Sequence, residues 1–131
     1  MPEPIKRARV RPRARVRRRA RVRPRARVRA VLILAAYPRR SAAERAARDL
    51  LRRRILACAT VTSNGRAFYR WKGKEYADPS TILWGKTLAS RATEAIQAIR
   101  EGHPDQVPEI LVVRIEEGYA PYLAWIEEEV S

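Results

Sequence analysis

β-Branched and aromatic residues recur on both sides of Lys72-Gly73-Lys74 across the stretch Cys58 to Lys86, the pattern of two strands joined by a turn. From Arg66 to Trp71 the alternation is tight. Ala67, Tyr69 and Trp71 share one face, and Phe68, Arg70 and Lys72 share the other. Both faces carry an aromatic, so neither is an ordinary solvated face. A hairpin of this kind exposes too much apolar surface for a lone small domain, and its far end is expected to pack on another subunit. Asn64-Gly65 predicts a bulge or kink in the first strand, and Pro79 an irregularity in the second.

Around this hairpin the pattern changes period. Val31 to Ala36 is apolar on both faces and predicts an interior strand, ended by Tyr37-Pro38. Ser41-Ala42-Ala43-Glu44 has the form of a capping box. Ala43, Ala46, Ala47, Leu50 and Leu51 follow at helical spacing, so a helix is expected from Ala42 to about Arg54. Ser90 is placed to cap a second helix with Ala92, Ala95, Ile96 and Ile99 on its inner face and Gly102 as a left-handed stop. Ile110 to Ile115 predicts a fourth strand, and Pro121 starts a short last helix that buries part of Tyr122, Leu123, Trp125 and Ile126. The order β-α-β-β-α-β-α is that of the ferredoxin-like α+β fold, an antiparallel sheet with helices on one face. The open face then needs cover, which sheet-to-sheet packing of subunits would supply.

Charge divides the chain in two. Residues 1–30 hold 14 of the 29 Lys and Arg but one of the 14 acids, so they carry +13 of the net +15. The hexamer Arg7-Ala8-Arg9-Val10-Arg11-Pro12 recurs with small changes up to Ala30. With like charges side by side and no apolar face, residues 1–29 are expected to be a low-complexity disordered tail ahead of one domain, 30–131. Three readings of the tail stand side by side. It is an arm that binds nucleic acid or another polyanion without sequence preference, a transit peptide, or a repeat (or a misplaced start) of the gene without selected function. In the first reading the contacts are Arg7, Arg9, Arg11, Arg13, Arg15, Arg17, Arg18, Arg19, Arg21, Arg23, Arg25, Arg27 and Arg29. The longest apolar run, Val31 to Tyr37, is too short to span a bilayer, so no membrane partner is expected. A single cysteine, Cys58, suits a reducing compartment, and a cytoplasmic location is the expectation.

Candidate chemistry is sparse. No nucleophile–base pair, phosphate-binding glycine loop or spaced Cys/His set appears in the sequence, and no catalysis is expected. His103, held between Gly102 and Pro104, is either a structural histidine in a rigid turn or a metal ligand through a neutral ring nitrogen. Asp105 would add an oxygen donor. Cys58 is either a small buried apolar residue or a soft donor. Tyr69, Trp71, Lys86 and Glu109 form a second candidate set, bordering a cleft between subunits or locking the subunits together.

Several short motifs in order carry a resemblance. Leu56-Ala57-Cys58-Ala59, Tyr69-Arg70-Trp71-Lys72-Gly73-Lys74, Lys86-Thr87, His103-Pro104, Val107-Pro108-Glu109-Ile110 and Tyr122-Leu123-Ala124-Trp125-Ile126 resemble the CutA divalent-cation-tolerance proteins, from about Val31 to Ile126. The resemblance implies a tight homotrimer and a non-catalytic role in tolerance of copper and other divalent ions. It also implies a copper site from a first-strand Cys and a His-His pair before Pro, positions held here by Ala35, Gly102 and His103. Ser80 stands where the family often has Glu, and Asp105 follows His-Pro where an aromatic is usual. With one of three ligands kept, weak copper binding is the expectation. The trimeric plan also resembles that of the PII signalling proteins, so a small-ligand or nucleotide sensor is the alternative, and a polyanion-binding protein acting through its tail is a third.

Overall fold

The computed structural model describes residues 28–131. The Arg-rich segment, with all of its proposed polyanion contacts except Arg29, lies outside the described residues. The described chain forms strand β1 (Ala30–Tyr37), helix α1 (Arg40–Arg52), strands β2 (Cys58–Trp71) and β3 (Lys74–Leu88), a 3-10 turn (Ala89–Arg91), helix α2 (Ala92–Glu101), strand β4 (Ile110–Arg114) and helix α3 (Ala120–Val130). The four strands make one sheet in the order β2-β3-β1-β4, antiparallel throughout. This is the ferredoxin-like arrangement that the element order predicts.

The hairpin forms as its pattern requires. Lys72 and Gly73 both have positive φ, 50° and 84°, and close a two-residue turn of the mirror-image type that suits strand twist. Asn64, at φ 69°, sits in a register shift between Thr62 and Gly65, so the bulge lies where the sequence places it. Pro79 interrupts nothing. It pairs opposite Arg66, two residues beyond Thr81, the last β3 residue paired with β1, in an arm where β3 has one partner strand.

The sheet's two faces bury different cores. Val31, Ile33 and Ala35 of β1 and Leu83 of β3 pack with Ala43 and Leu50 of α1 and with Ala95 and Ile99 of α2. Ala30 points to the other face and packs with Ala57, Ile126 and Val130, joined by Leu88, Tyr122 and Leu123. Helix α3 therefore covers one end of the face expected to be open. The rest of that face, with Leu32, Leu34, Ile82 and Trp84, is only half-buried, and Leu111, Val112 and Val113 of the edge strand β4 are exposed.

The helix ends depart from expectation. Arg39 and Arg91 occupy the N-cap positions of α1 and α2, without side-chain caps. Ser41 lies inside α1, where Glu44 pairs with Arg40 at 3.4 Å instead of closing a capping box. Ser90 lies inside the 3-10 turn. Gly102 has φ −101° and is not left-handed. The left-handed stop occurs at Arg54 (φ 58°), where Ile55 N–H donates to Leu50 C=O and Arg54 N–H to Leu51 C=O. That reversal drives Ile55 and Leu56 into the core and leaves Leu51 42% exposed.

Leu56 lies directly over Gly85. A Cβ at Gly85 would stand 2.8 and 3.0 Å from the two terminal carbons of Leu56, itself 1% exposed. Gly85→Ala is expected to cost about 2 kcal/mol by overpacking. In a denaturation cycle at fixed protein concentration, Leu56→Ala should cost less in the Gly85→Ala background than in wild type, since the clash disappears. Additive costs would show that the pair does not collide.

Candidate functional site

Residues Ala36, Glu109 and His103 set the geometry of the α2–β4 loop. Ala36 N–H donates to Glu109 C=O (3.2 Å), and Ala36 C=O accepts from His103 Nε2–H (2.7 Å). One residue at the end of β1 thus holds both ends of the loop. Inside it, Asp105 N–H donates to His103 Nδ1 at 3.0 Å. An imidazole that donates at Nε2 and accepts at Nδ1 is neutral, with its tautomer fixed by these partners. The ring is fully covered (0% side-chain exposure) and stacks on Tyr37, with centroids 4.3 Å apart.

Both nitrogens of His103 are therefore spent on backbone groups, and neither offers a lone pair to a metal. Its nearest carboxylate, Asp105, is 4.0 Å away. Cys58 is elsewhere. It pairs with Lys86 in the sheet, and Lys86 in turn pairs with Leu32, four residues or about 13 Å along β1 from Ala36. Its Sγ lies 3.0 Å from the Tyr122 hydroxyl, and burial together with that contact raises the pKa of Tyr122. His103, Asp105 and Cys58 do not form one site. Among the described residues, no three His, Cys, Asp or Glu side chains come close enough to hold a metal ion.

The second candidate set fares differently. Tyr69, Trp71 and Glu109 line one cavity of about 540 Å³, but Lys86 does not. The Lys86 ammonium donates to Trp84 C=O at 3.2 Å and approaches Thr60 Oγ1 at 3.5 Å, toward the other end of the hairpin. The cavity lies between the hairpin arm and the α2–β4 loop, on the sheet face opposite α1 and α2. The arm supplies Ala67, Tyr69, Trp71 and Asp78, and the loop supplies Asp105, Val107 and Glu109. Phe68 of the arm also borders it, 75% exposed.

Among the described residues, three carboxylates and no Lys or Arg line this space, so it favours positive charge. Asp78 accepts a short hydrogen bond from the Tyr69 hydroxyl, which raises the tyrosine pKa above its ordinary value. Sequence reading misses Asp78, although its position follows from the turn. A two-residue turn at Lys72-Gly73 pairs Trp71 with Lys74 and, counting outward, Tyr69 with Tyr76 and Ala67 with Asp78.

The profile of the family described as CutA1 divalent ion tolerance protein matches residues 31–129. The chain belongs to the CutA1 family. It is 35% identical over 99 residues to Protein CutA homolog of Xenopus laevis, a match covering 73% of this chain and 66% of that protein. It is 32% identical over 97 residues to the divalent-cation tolerance protein CutA of Pectobacterium atrosepticum, covering 74% and 88%. Against Protein CutA of Mus musculus the match spans about half, 51%, of the relative's length. Among solved structures, CutA from Xylella fastidiosa superposes with a TM-score of 0.76 at 32% identity, covering 78% of this chain and 98% of that one. CutA1 from Pyrococcus horikoshii gives 0.73 at 32%, covering 77% and 98%. The fold and the divalent-cation-tolerance family read from the sequence thus stand.

Proposed function

We propose that this CutA1 chain acts as a non-catalytic homotrimer in the cytoplasmic response to divalent metal ions, and that ions meet it at the carboxylate-lined cavity. The observation that carries this reading is that Asp78, Asp105 and Glu109 line one space whose lining, among the described residues, holds no Lys or Arg. The described residues assemble no chelating set in one subunit, so the contact is with hydrated ions and is weak. Copper fits poorly as a tightly held ion, because the donors here are oxygens and the one imidazole is engaged. A nucleotide fits worse. Its phosphates would meet three carboxylates, and the Lys86 ammonium is directed elsewhere. The half-buried Leu32, Leu34, Ile82 and Trp84, together with the exposed β4, support the trimer, since subunits would cover them.

Calorimetric titration of the full-length protein with Cu(II), Zn(II) and Mn(II) tests the reading. Asp105→Asn with Glu109→Gln should weaken binding of each ion by at least about threefold, while sedimentation reports a trimer in both proteins. Equal affinities in wild type and variant would place the ion elsewhere. A one-subunit species at micromolar concentration would remove the trimer.

A further inference from the structure

The outer face of helix α1 is strongly basic, and we propose that it binds the phosphate backbone of a double-stranded nucleic acid without reading its sequence. Residues 39–54 hold seven arginines, no lysine and two acids, Glu44 and Asp49, a net of +5. The rest of 31–131 holds eight basic and 11 acidic residues, a net of −3. The near-neutral body thus combines two opposed parts, and its positive part is one helix with its flanks. Ala43 and Leu50 of that helix are buried in the core under the sheet. Ser41, Arg45, Arg48 and Arg52 recur at i, i+4, i+7 and i+11 on the opposite side, and all four are exposed. The three arginines advance along the axis in steps of about 4.5 and 6 Å, so each can meet a different phosphate.

Much of the surrounding charge is already engaged. Arg40 pairs with Glu44 at 3.4 Å, Arg52 and Arg53 share Asp49 at 3.4 and 2.8 Å, and Arg54 donates to Glu129 C=O at 2.8 Å. Arg91 and Arg100, in and before the neighbouring α2, are offset by Glu94 and Glu101. Arg45 and Arg48, in the middle of the stripe, form no ion pair among the described residues. Their guanidinium groups can donate in pairs to phosphate oxygens. The stripe lies on the helical side of the sheet, opposite the cavity, so subunits packed sheet to sheet would leave it outside. The proposal does not depend on which ions the cavity meets.

The chemistry of the face selects the partner. Helix α1 has no aromatic residue on which an unstacked base could lie, which favours a duplex over a single strand. Its apolar stripe is spent on the core and leaves Leu51, 42% exposed, as its one exposed large apolar side chain, which favours nucleic acid over a lipid surface. Position in the fold points the same way. Thr87, paired with Val31, donates through Oγ1 to Ile55 C=O at 2.6 Å, so the 12 arginines of residues 1–27 join the domain near the last turn of α1.

The test measures binding of full-length protein to two 20-base-pair DNA duplexes of unrelated sequence across a range of salt concentrations. Each phosphate contact steepens the fall of log affinity with log salt by about 0.9. Arg45→Gln with Arg48→Gln should therefore flatten the slope by about 2 and weaken binding at 0.05 M salt at least about tenfold, equally for both sequences. Arg45→Lys with Arg48→Lys should keep most of the slope. Arg70→Gln with Lys74→Gln removes the same charge from the hairpin arm and should leave the slope as it is. An unchanged slope in the α1 glutamine variant overturns the proposal and leaves binding to residues 1–27 alone. Equal flattening in the hairpin variant also overturns it, because net charge rather than this face would then be acting. So does loss of binding to phosphatidylserine vesicles, with DNA binding kept, in the α1 glutamine variant, since the face would then belong to a membrane surface.

Discussion

His103→Ala should destabilise the protein by about 3 kcal/mol, measured by chemical denaturation at fixed protein concentration. The change removes the Nε2–H donor from Ala36 C=O and the acceptor from Asp105 N–H. Each lost bond costs about 1 kcal/mol, and more where the backbone group stays buried without a partner. It also removes the ring stacked on Tyr37 and leaves space behind, for about another 1 kcal/mol. The damage extends into the site, because Asp105 and Glu109 line the cavity on the loop that His103 fastens. Metal affinity should therefore fall together with stability, through displaced carboxylates. A His103→Ala protein as stable as wild type but unable to bind copper would restore the imidazole as a ligand. The geometry leaves no free nitrogen for that result.

The sequence carries the hairpin, its turn and its bulge because these follow from local pattern and from φ preferences at Asn64, Lys72 and Gly73. Helix existence is equally legible, from the spacing of Ala43, Leu50, Ala95 and Ile99. Helix ends are not, because a serine beside a helical pattern is only one of several ways to begin. Here the backbone at Arg39 and Arg91 turns into the helix without a side-chain cap. Leu51 belongs to the apolar stripe of α1 by spacing, but the reversal at Arg54 brings Leu56 back into the core and leaves Leu51 at the surface. Helix α3 is the largest surprise. Its apolar residues announce burial without saying against which face of the sheet.

The site shows the same division between local and distant information. Tyr69 and Trp71 lie on one face by alternation, and Glu109 reaches them through a loop whose closure rests on Ala36. Lys86 shares their face but stands eight residues beyond Asp78 along β3, about 26 Å. Strand parity is visible in the sequence. Distance along the strand is visible too, once the turn is fixed, and it excludes Lys86 from the cavity. The engagement of both His103 nitrogens is not visible, since it depends on backbone groups at Ala36 and Asp105 that only the fold brings together.

Tyr37→Phe should raise stability at neutral pH by about 1 kcal/mol and flatten its decline at high pH. The Tyr37 hydroxyl is sealed from solvent and has no hydrogen-bond partner among the described residues, although the residue packs well, at 3% exposure. Losing a buried, unpaired hydroxyl while keeping the ring against His103 removes a desolvation cost and little else. Burial pushes the Tyr37 pKa from 10.0 to about 12. Above pH 10 the unfolded chain releases this proton while the folded chain keeps it, so ionisation favours unfolding. The stability is whole below pH 10 and is lost as pH climbs through about 12, by about 2 to 3 kcal/mol in the limit. Tyr69 and Tyr122 also have raised values and remain in the variant, so a shallower alkaline decline persists. The measurement is the difference in unfolding free energy between Tyr37→Phe and wild type at pH 8 and near pH 11.5. That difference should grow with pH in favour of phenylalanine. A constant difference would mean that Tyr37 ionises as readily in the folded protein as in the unfolded chain.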